Sequence, residues 1–323
     1  MSQITVSEFP VKLTWEITER CNLDCKICYS NNNISNDLKE YSFQECLAVI
    51  NKLVELGVIY IFLDGGEPLL YKHFFSLLNE CTSKFSTMLS TNGTLIGQDE
   101  AKRISTSKIK TVFVSLHGCD SSMHDSYTQT PGSFNATING IKYLIDYGVD
   151  TMVSIVLHRE NYLSMKEYIL LCKDLKISKI NILRGYPIGR NCDIGKKLRL
   201  KSNNYMDIIP YIEKICEQES VKLGHSFGSR NHNCCAQAIS LSAEGLLRNC
   251  PYLRNQGNLG VFLNNDPNEL WNSETSKLIR SSFDTKDSYC SICTEHSKCR
   301  EGCPADKLLD YNFPIGKDPL CWL

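Results

Sequence analysis

Cys21-Asn22-Leu23-Asp24-Cys25-Lys26-Ile27-Cys28 places three thiols in eight residues at a C-x3-C-x2-C spacing. Thiolates that close suit one soft metal centre, and three protein ligands at a four-ligand centre leave one position open. An open position lets a small molecule bind iron directly. Structural zinc ordinarily takes four ligands from paired C-x2-4-C knuckles, so the triplet leans toward iron–sulfur. A zinc site short of one ligand and a chance run of buried cysteines remain as alternatives. A second series runs Cys235, Cys250, Cys290, Cys293, Cys299, Cys303 and Cys321. Taken alone, Cys290-x2-Cys293 with Cys299 and Cys303 could be a small zinc module. The remaining cysteines, 46, 81, 119, 172, 192, 216 and 234, are scattered and read mostly as small core residues.

The triplet needs a scaffold, and the pattern around it supplies one. Apolar or alternating runs predict strands over 12–18, 58–63, 86–89, 111–116, 152–157 and 179–183. Helical periodicity predicts helices between them, over 43–54 (capped by Ser42 and stopped by Gly57), 74–81, 99–104, 134–147 and 165–175. This βα alternation belongs to a parallel barrel or an open doubly wound sheet, which carries its chemistry in loops at the carboxyl ends of the strands. The triplet follows the first strand. Asp64-Gly65-Gly66-Glu67-Pro68 follows the second, Thr91-Asn92-Gly93 the third and Ser115-Leu116-His117-Gly118 the fourth. Glycines let backbone run close to a ligand, and the Glu67 carboxylate could hold a cationic amine. Each loop alone could be an ordinary turn; at one end of one sheet they form a single expected pocket. One more helix is expected over 205–216, and from about residue 224 the chain turns rich in Gly, Ser, Asn and Cys. That region looks too poor in regular structure to build a large core, so metal ligation is its expected staple.

Composition narrows the function. The chain has 323 residues, a net charge of −1 and 17 cysteines. Near-neutral charge offers nothing for nucleic acid or an acidic membrane surface. No apolar run approaches the ~20 residues of a spanning helix, and Met1 to Pro10 lacks the basic-then-apolar layout of a signal peptide. A cytoplasmic protein is expected, and in a reducing cytosol clustered thiols are metal ligands or redox groups.

Taken together, these loops resemble the radical SAM (S-adenosylmethionine) superfamily over roughly residues 11–190, including His124-Asp125 with Pro131-Gly132-Ser133-Phe134, and Gly189-Arg190 after the sixth strand. The resemblance implies that Cys21, Cys25 and Cys28 hold a [4Fe–4S] cluster whose fourth iron takes the amino and carboxylate groups of SAM. It sets Gly65, Gly66, Glu67 and Pro68 near the methionine amine and Ser115 near the carboxylate or ribose. Ile27 would cover the adenine, with Asn92 and Arg184 as further cofactor contacts. Three positions depart from the family pattern: Ile27 where an aromatic is usual, Asp64 where a small or hydroxyl residue is usual, and His117 where aspartate is. The carboxyl-terminal series resembles the seven-cysteine SPASM domain. This implies two auxiliary [4Fe–4S] clusters, an outer one on Cys290, Cys293, Cys299 and Cys321 and an inner one on Cys235, Cys250 and Cys303. Ser229 and His232 stand where some relatives carry a fourth inner ligand, and Cys234 neighbours Cys235 in sequence but would point to the other side of an extended backbone.

The expected architecture is therefore α/β: a partial (β/α)6 parallel barrel over 1–203, a linking helix over 204–227 and a cysteine-rich SPASM domain over 228–323. The implied activity is SAM cleavage to a 5′-deoxyadenosyl radical that takes a hydrogen from a ribosomal peptide or protein, leaving a crosslink, an epimerised centre or an oxidised side chain. A flavodoxin- or ferredoxin-type reductant would supply the electron. With about ten residues before the first strand, a separate leader-peptide-binding protein or the barrel mouth would recognise the peptide. Oxidation of a small sugar- or amino-acid-derived metabolite is the alternative, and a non-catalytic iron–sulfur or zinc-binding protein the third. Cys192, just after Gly189-Arg190, is the best-placed hydrogen donor; Cys119 follows a tight loop and Cys216 reads as helix core. His117 reads as a solvated loop histidine.

Overall fold

The computed structural model describes residues 9–30, 39–189, 192–224, 237–254, 256–281, 290–294, 296–299 and 302–321. The chain divides into two compact units. The first comprises Met1–Arg20, Ser35–Thr87 and Arg230–Cys321, the second Cys21–Ile34, Met88–Ser229 and Trp322–Leu323.

In the first unit, β1 (Lys12–Glu16) and β2 (Tyr60–Asp64) are parallel, joined through α1 (Phe43–Glu55). Ser42 starts α1 because its hydroxyl accepts from the Glu45 amide while the Glu45 carboxylate reaches back to the Ser42 N–H. The helix buries Cys46, Val49, Ile50 and Leu53 at helical spacing. A second helix, α2 (Phe74–Lys84), follows β2. Strand β8 (Ala238–Leu241) pairs in parallel with the free side of β1, and β9 (Leu246–Arg248) and β10 (Asn258–Val261) continue antiparallel. The cysteine-rich region is thus more regular than its composition suggests. Leu241, Leu247, Phe262 and Trp271 are fully buried, and the Arg280 guanidinium lies 4.0 Å over the Trp271 ring. It contributes apolar side chains to a core beside its cysteines, which its composition did not suggest.

In the second unit, β3 (Ser86–Thr91), β4 (Thr111–Ser115), β5 (Thr151–Leu157), β6 (Lys179–Arg184) and β7 (Lys222–Leu223) follow in that order, all parallel. The helices expected between them are present: α3 (Gln98–Thr106), α5 (Ser133–Asp146) and α6 (Met165–Asp174). Beyond β6 come α7 (Cys192–Leu198) and α8 (Ser202–Glu219), the longer form of the helix expected over 205–216. Buried Val112, Val114, Val153, Ile155, Ile180 and Ile182 make the strand core. Helix α4 (Ser121–Thr128) was not foreseen. It buries His124, Tyr127 and Thr128 and no aliphatic side chain, so no hydrophobic period betrays it. Among the described residues no helix is long and apolar enough to cross a membrane.

At the carboxyl end of β1 a charged group is buried. The Glu16 carboxylate is wholly enclosed and lies 3.4 Å from Arg248 and 3.1 Å from Arg254, and Arg254 also reaches Glu19 at 2.8 Å. Burial pushes Glu16 up to about 7, against the pull of Arg254 and Arg248. Removing the carboxylate leaves Arg248 without its carboxylate partner in a low-dielectric interior and Arg254 with Glu19 alone. Glu16→Ala is expected to cost about 3–5 kcal/mol in urea denaturation, and Glu16→Gln, which keeps hydrogen-bonding atoms in place, less.

Candidate active site

The cysteine loop begins the second unit and carries no regular structure between Cys21 and Ser30. It is held by its neighbours. The Asp24 and Lys26 amides donate to the carbonyls of Thr128 and Tyr127 at 3.1 and 2.8 Å. The buried Tyr127 hydroxyl donates to the Ile27 carbonyl at 2.7 Å. Gly189 has φ +76°, and a Cβ there would lie 2.2 Å from the Cys28 carbonyl oxygen, so only glycine allows that approach. Asn92, after β3, donates to Asn22 Oδ1 at 2.9 Å and to Cys21 Sγ at 3.9 Å.

The thiols themselves fit an iron–sulfur cluster. Burial, with Cys28 and Cys21 close by, pushes the Cys25 thiol well above its ordinary range, so three thiolates can coexist there only around compensating positive charge. Among the described residues no three His, Cys, Asp or Glu side chains close on a single metal ion. A cube of iron and sulfide asks for something wider, because its thiolates bind different irons.

Behind this loop lies a stack of buried rings. Tyr127 packs between His117 (centroids 4.1 Å apart) and His158 (5.2 Å), and His124 lies beyond His117 at 6.1 Å. His117, expected in solvent, is buried because it sits against β5 and α4 rather than at the loop's outer edge. Each imidazole uses Nδ1 to accept a backbone N–H: His117 from Val156 at 3.4 Å, His124 from His117 at 3.1 Å and His158 from Glu160 at 3.2 Å. A nitrogen accepting a hydrogen bond cannot also be protonated, and all three rings are held neutral. Burial pulls His124 and His158 down to about 4, and lowers His117 well below its usual value. The neighbouring motif residue Asp125 is structural: its carboxylate accepts from the Gly132 and Phe134 amides, both at 2.7 Å, and from the Ser133 hydroxyl at 2.9 Å, fixing the start of α5.

In the same unit, Ser115 ends β4 and Arg184, buried, ends β6, both at carboxyl ends of parallel strands. The Ile27 side chain passes 3.8 Å from where a Cβ of Gly185 would be. Cys192 opens α7, partly exposed, its Sγ 3.8 Å from Asp193 Oδ1; Cys216 is buried in α8, and Cys119 is partly exposed. Arg190 lies outside the described residues.

In the first unit, Gly65 and Gly66 run against the backbone leading into the triplet. The Gly66 and Glu67 amides donate to the Thr18 and Arg20 carbonyls at 2.8 and 2.7 Å. A Cβ on Gly65 would fall 2.3 Å from Thr18 O, and one on Gly66 2.0 Å from Arg20 O. These glycines therefore serve close backbone packing first. Buried Glu67 accepts from the Leu69 amide at 3.2 Å, capping the turn that buried Pro68 opens.

Among the carboxyl-terminal thiols, Asp318 ties two loops: Oδ2 accepts from the Cys303 amide at 3.2 Å and its carbonyl from the Cys321 amide at 2.9 Å. Cys290 and Cys293 share a turn, with the Cys293 amide 3.1 Å from the Cys290 carbonyl. Cys250 and Cys299 are partly exposed. Cys234, Cys235, Ser229 and His232 lie outside the described residues.

Residues 15–172 match the model of the radical SAM superfamily. The AdoMet-dependent heme synthase of Nitratidesulfovibrio vulgaris is 26% identical over 341 residues, covering 96% of this chain and 91% of that protein. The mycofactocin maturase MftC of Mycolicibacterium smegmatis is 27% identical over 336 residues, covering 97% and 82%. Streptococcus suis SuiB, solved bound to precursor peptide SuiA, aligns with a TM-score of 0.77 at 20% identity, covering 98% of this chain and 76% of that one. At that identity the likeness is one of fold.

The locked imidazoles generate a pH dependence. With folded values near 4 for His124 and His158 against about 6.5 unfolded, the unfolded chain binds more protons in that window. These two rings therefore contribute stability that rises with pH between about 4 and 6.5 and is lost as pH falls, by up to ~3 kcal/mol per ring. Together they outweigh the opposite contribution of Glu16, whose raised value favours the folded state as pH falls through that window. Anaerobic urea midpoints at pH 7.5, 6.5, 5.5 and 4.5 should decline below pH 6.5. The decline should be shallower in His124→Asn and His158→Asn.

Proposed function

Because this chain belongs to the radical SAM superfamily through residues 15–172, we propose that it is a maturase that takes a hydrogen atom from a ribosomal peptide. The observation that carries the reading is the cysteine loop: three crowded thiols, braced at Ile27, Asp24, Lys26 and Asn22. Cys21, Cys25 and Cys28 would hold a [4Fe–4S] cluster, which when bound supplies the electron that splits SAM into methionine and a 5′-deoxyadenosyl radical. The chain's own part is placement and exclusion of water. Gly65, Gly66, Glu67 and Pro68 would meet the methionine amine, Ser115 and Arg184 the carboxylate or ribose, and Ile27 the adenine. Asn92 braces the loop. Cys192 would return a hydrogen atom where the product is epimerised.

Cys290, Cys293, Cys299 and Cys321 would hold an outer auxiliary cluster, and Cys235, Cys250 and Cys303 an inner one with an open iron. The domain division then follows the sequence, with the radical SAM core over 1–203, a linking helix over 204–227 and the SPASM region over 228–323. The peptide reading draws support from MftC, whose name states a maturase, and from SuiB, solved with its precursor peptide. A flavodoxin- or ferredoxin-type reductant and a separate leader-binding protein complete the assignment. A second reading, oxidation of a small molecule, draws on the likeness to AdoMet-dependent heme synthases.

Anaerobically reconstituted enzyme with dithionite and SAM should release methionine and 5′-deoxyadenosine. Cys25→Ala should lower that release at least a hundredfold. Cys293→Ala should keep SAM cleavage and lose product. With a deuterated peptide encoded beside the gene, mass spectrometry should find deuterium in 5′-deoxyadenosine. No transfer from any such peptide, together with turnover of a tetrapyrrole, would select the second reading.

A further inference from the structure

Asn92 is buried at 9% exposure, and its side-chain amide can adopt only one orientation. Oδ1 accepts from the Thr94 backbone N–H at 2.9 Å and from the Thr94 hydroxyl at 2.7 Å. A backbone N–H has nothing to accept with, so the oxygen must face Thr94 and the NH2 group must face the other way. That direction holds Asn22 Oδ1 at 2.9 Å and Cys21 Sγ at 3.9 Å, one hydrogen for each. Asn22 closes the ring by donating from Nδ2 to the Thr94 hydroxyl at 2.8 Å.

The backbone beneath is equally fixed. The Thr137 hydroxyl donates to the Asn92 carbonyl at 2.9 Å, and the Gly93 amide to Thr91 Oγ1 at 3.0 Å. A Cβ on Gly140 would lie 2.2 Å from the Gly93 carbonyl oxygen, so α5 seats directly on the turn. Nothing in this network lets the amide swing away from the sulfur.

We infer that Asn92 is a positioning residue whose amide N–H donates to the Cys21 thiolate and raises the reduction potential of the centre that thiolate holds. Reduction places added negative charge partly on the ligand sulfurs, and an N–H dipole aimed at one of them stabilises the reduced form more than the oxidised form. Burial keeps water from supplying the same bond. The inference rests on the cluster assignment to Cys21, Cys25 and Cys28. It departs from a role for Asn92 as a SAM contact, since both ends of its amide are already engaged within the protein.

The test is an EPR-monitored potentiometric titration of reconstituted full-length enzyme without SAM, following the signal that changes when SAM is added. Asn92→Ala and Asn92→Asp both remove the donor, and the aspartate is isosteric and keeps an acceptor for Thr94. Both should move the midpoint to more negative potential, so that a poise half-reducing the wild type leaves several-fold less reduced signal. An unchanged midpoint in Asn92→Asp overturns the inference. So does an unchanged midpoint with weakened SAM binding, which would make Asn92 a SAM contact. Failure of the underlying cluster assignment looks different: the wild type itself would show no SAM-responsive signal, and the inference would fall with it.

Discussion

Cys21, Cys25 and Cys28 crowd three sulfurs into eight residues, and the loop that carries them has no regular structure of its own to fix their places. This constraint organises the second unit. Such a loop keeps its shape only if other elements hold its backbone at several points, and each holding group comes from the carboxyl end of a strand or the helix after it. Tyr127 and Thr128 on α4 take Lys26, Asp24 and Ile27; Asn92 after β3 takes Asn22 and Cys21; Gly189 beyond β6 closes on Cys28. The strand core is apolar and generic. What the βα repeats contribute specifically is a rim of hydrogen-bonding groups at fixed heights.

The two units bury polar groups by different physics. In the second, three imidazoles are kept neutral by making Nδ1 an acceptor for backbone N–H groups, so these rings bring no charge into the interior. They form a rigid stack with Tyr127, whose hydroxyl meets the cysteine loop. In the first, Glu16 is buried with two arginines, a charged solution that is costly to break and that links β1 to β9. Both devices sit at strand ends adjoining residues that would serve the chemistry, where a displaced backbone would be felt at once.

Fold alone does not choose a substrate, because one scaffold supports many reactions by changing its loops. The relatives here illustrate the point: similar coverage and identity join this chain to proteins named as a heme synthase and as a peptide maturase. What joins them to this chain is likeness over nearly its whole length, and that likeness does not name a substrate. Substrate choice depends on residues whose contacts are set between elements.

That division explains what could be read from the chain itself. The C-x3-C-x2-C spacing, the capping of α1 by Ser42, and the apolar periods of the strands and most helices are local properties, and each was legible in sequence. So was the Gly-Gly-Glu-Pro loop, though not that its glycines pack on Thr18 and Arg20. Helix α4 stayed hidden because its buried residues are His124, Tyr127 and Thr128, which carry no hydrophobic signal. The burial of His117, the pairing of β8 with β1 and the fixed amide of Asn92 required the assembled fold. A residue type and its spacing determine what one segment can do; which atom faces which across distant segments depends on register and packing, and those exist only once the chain has folded.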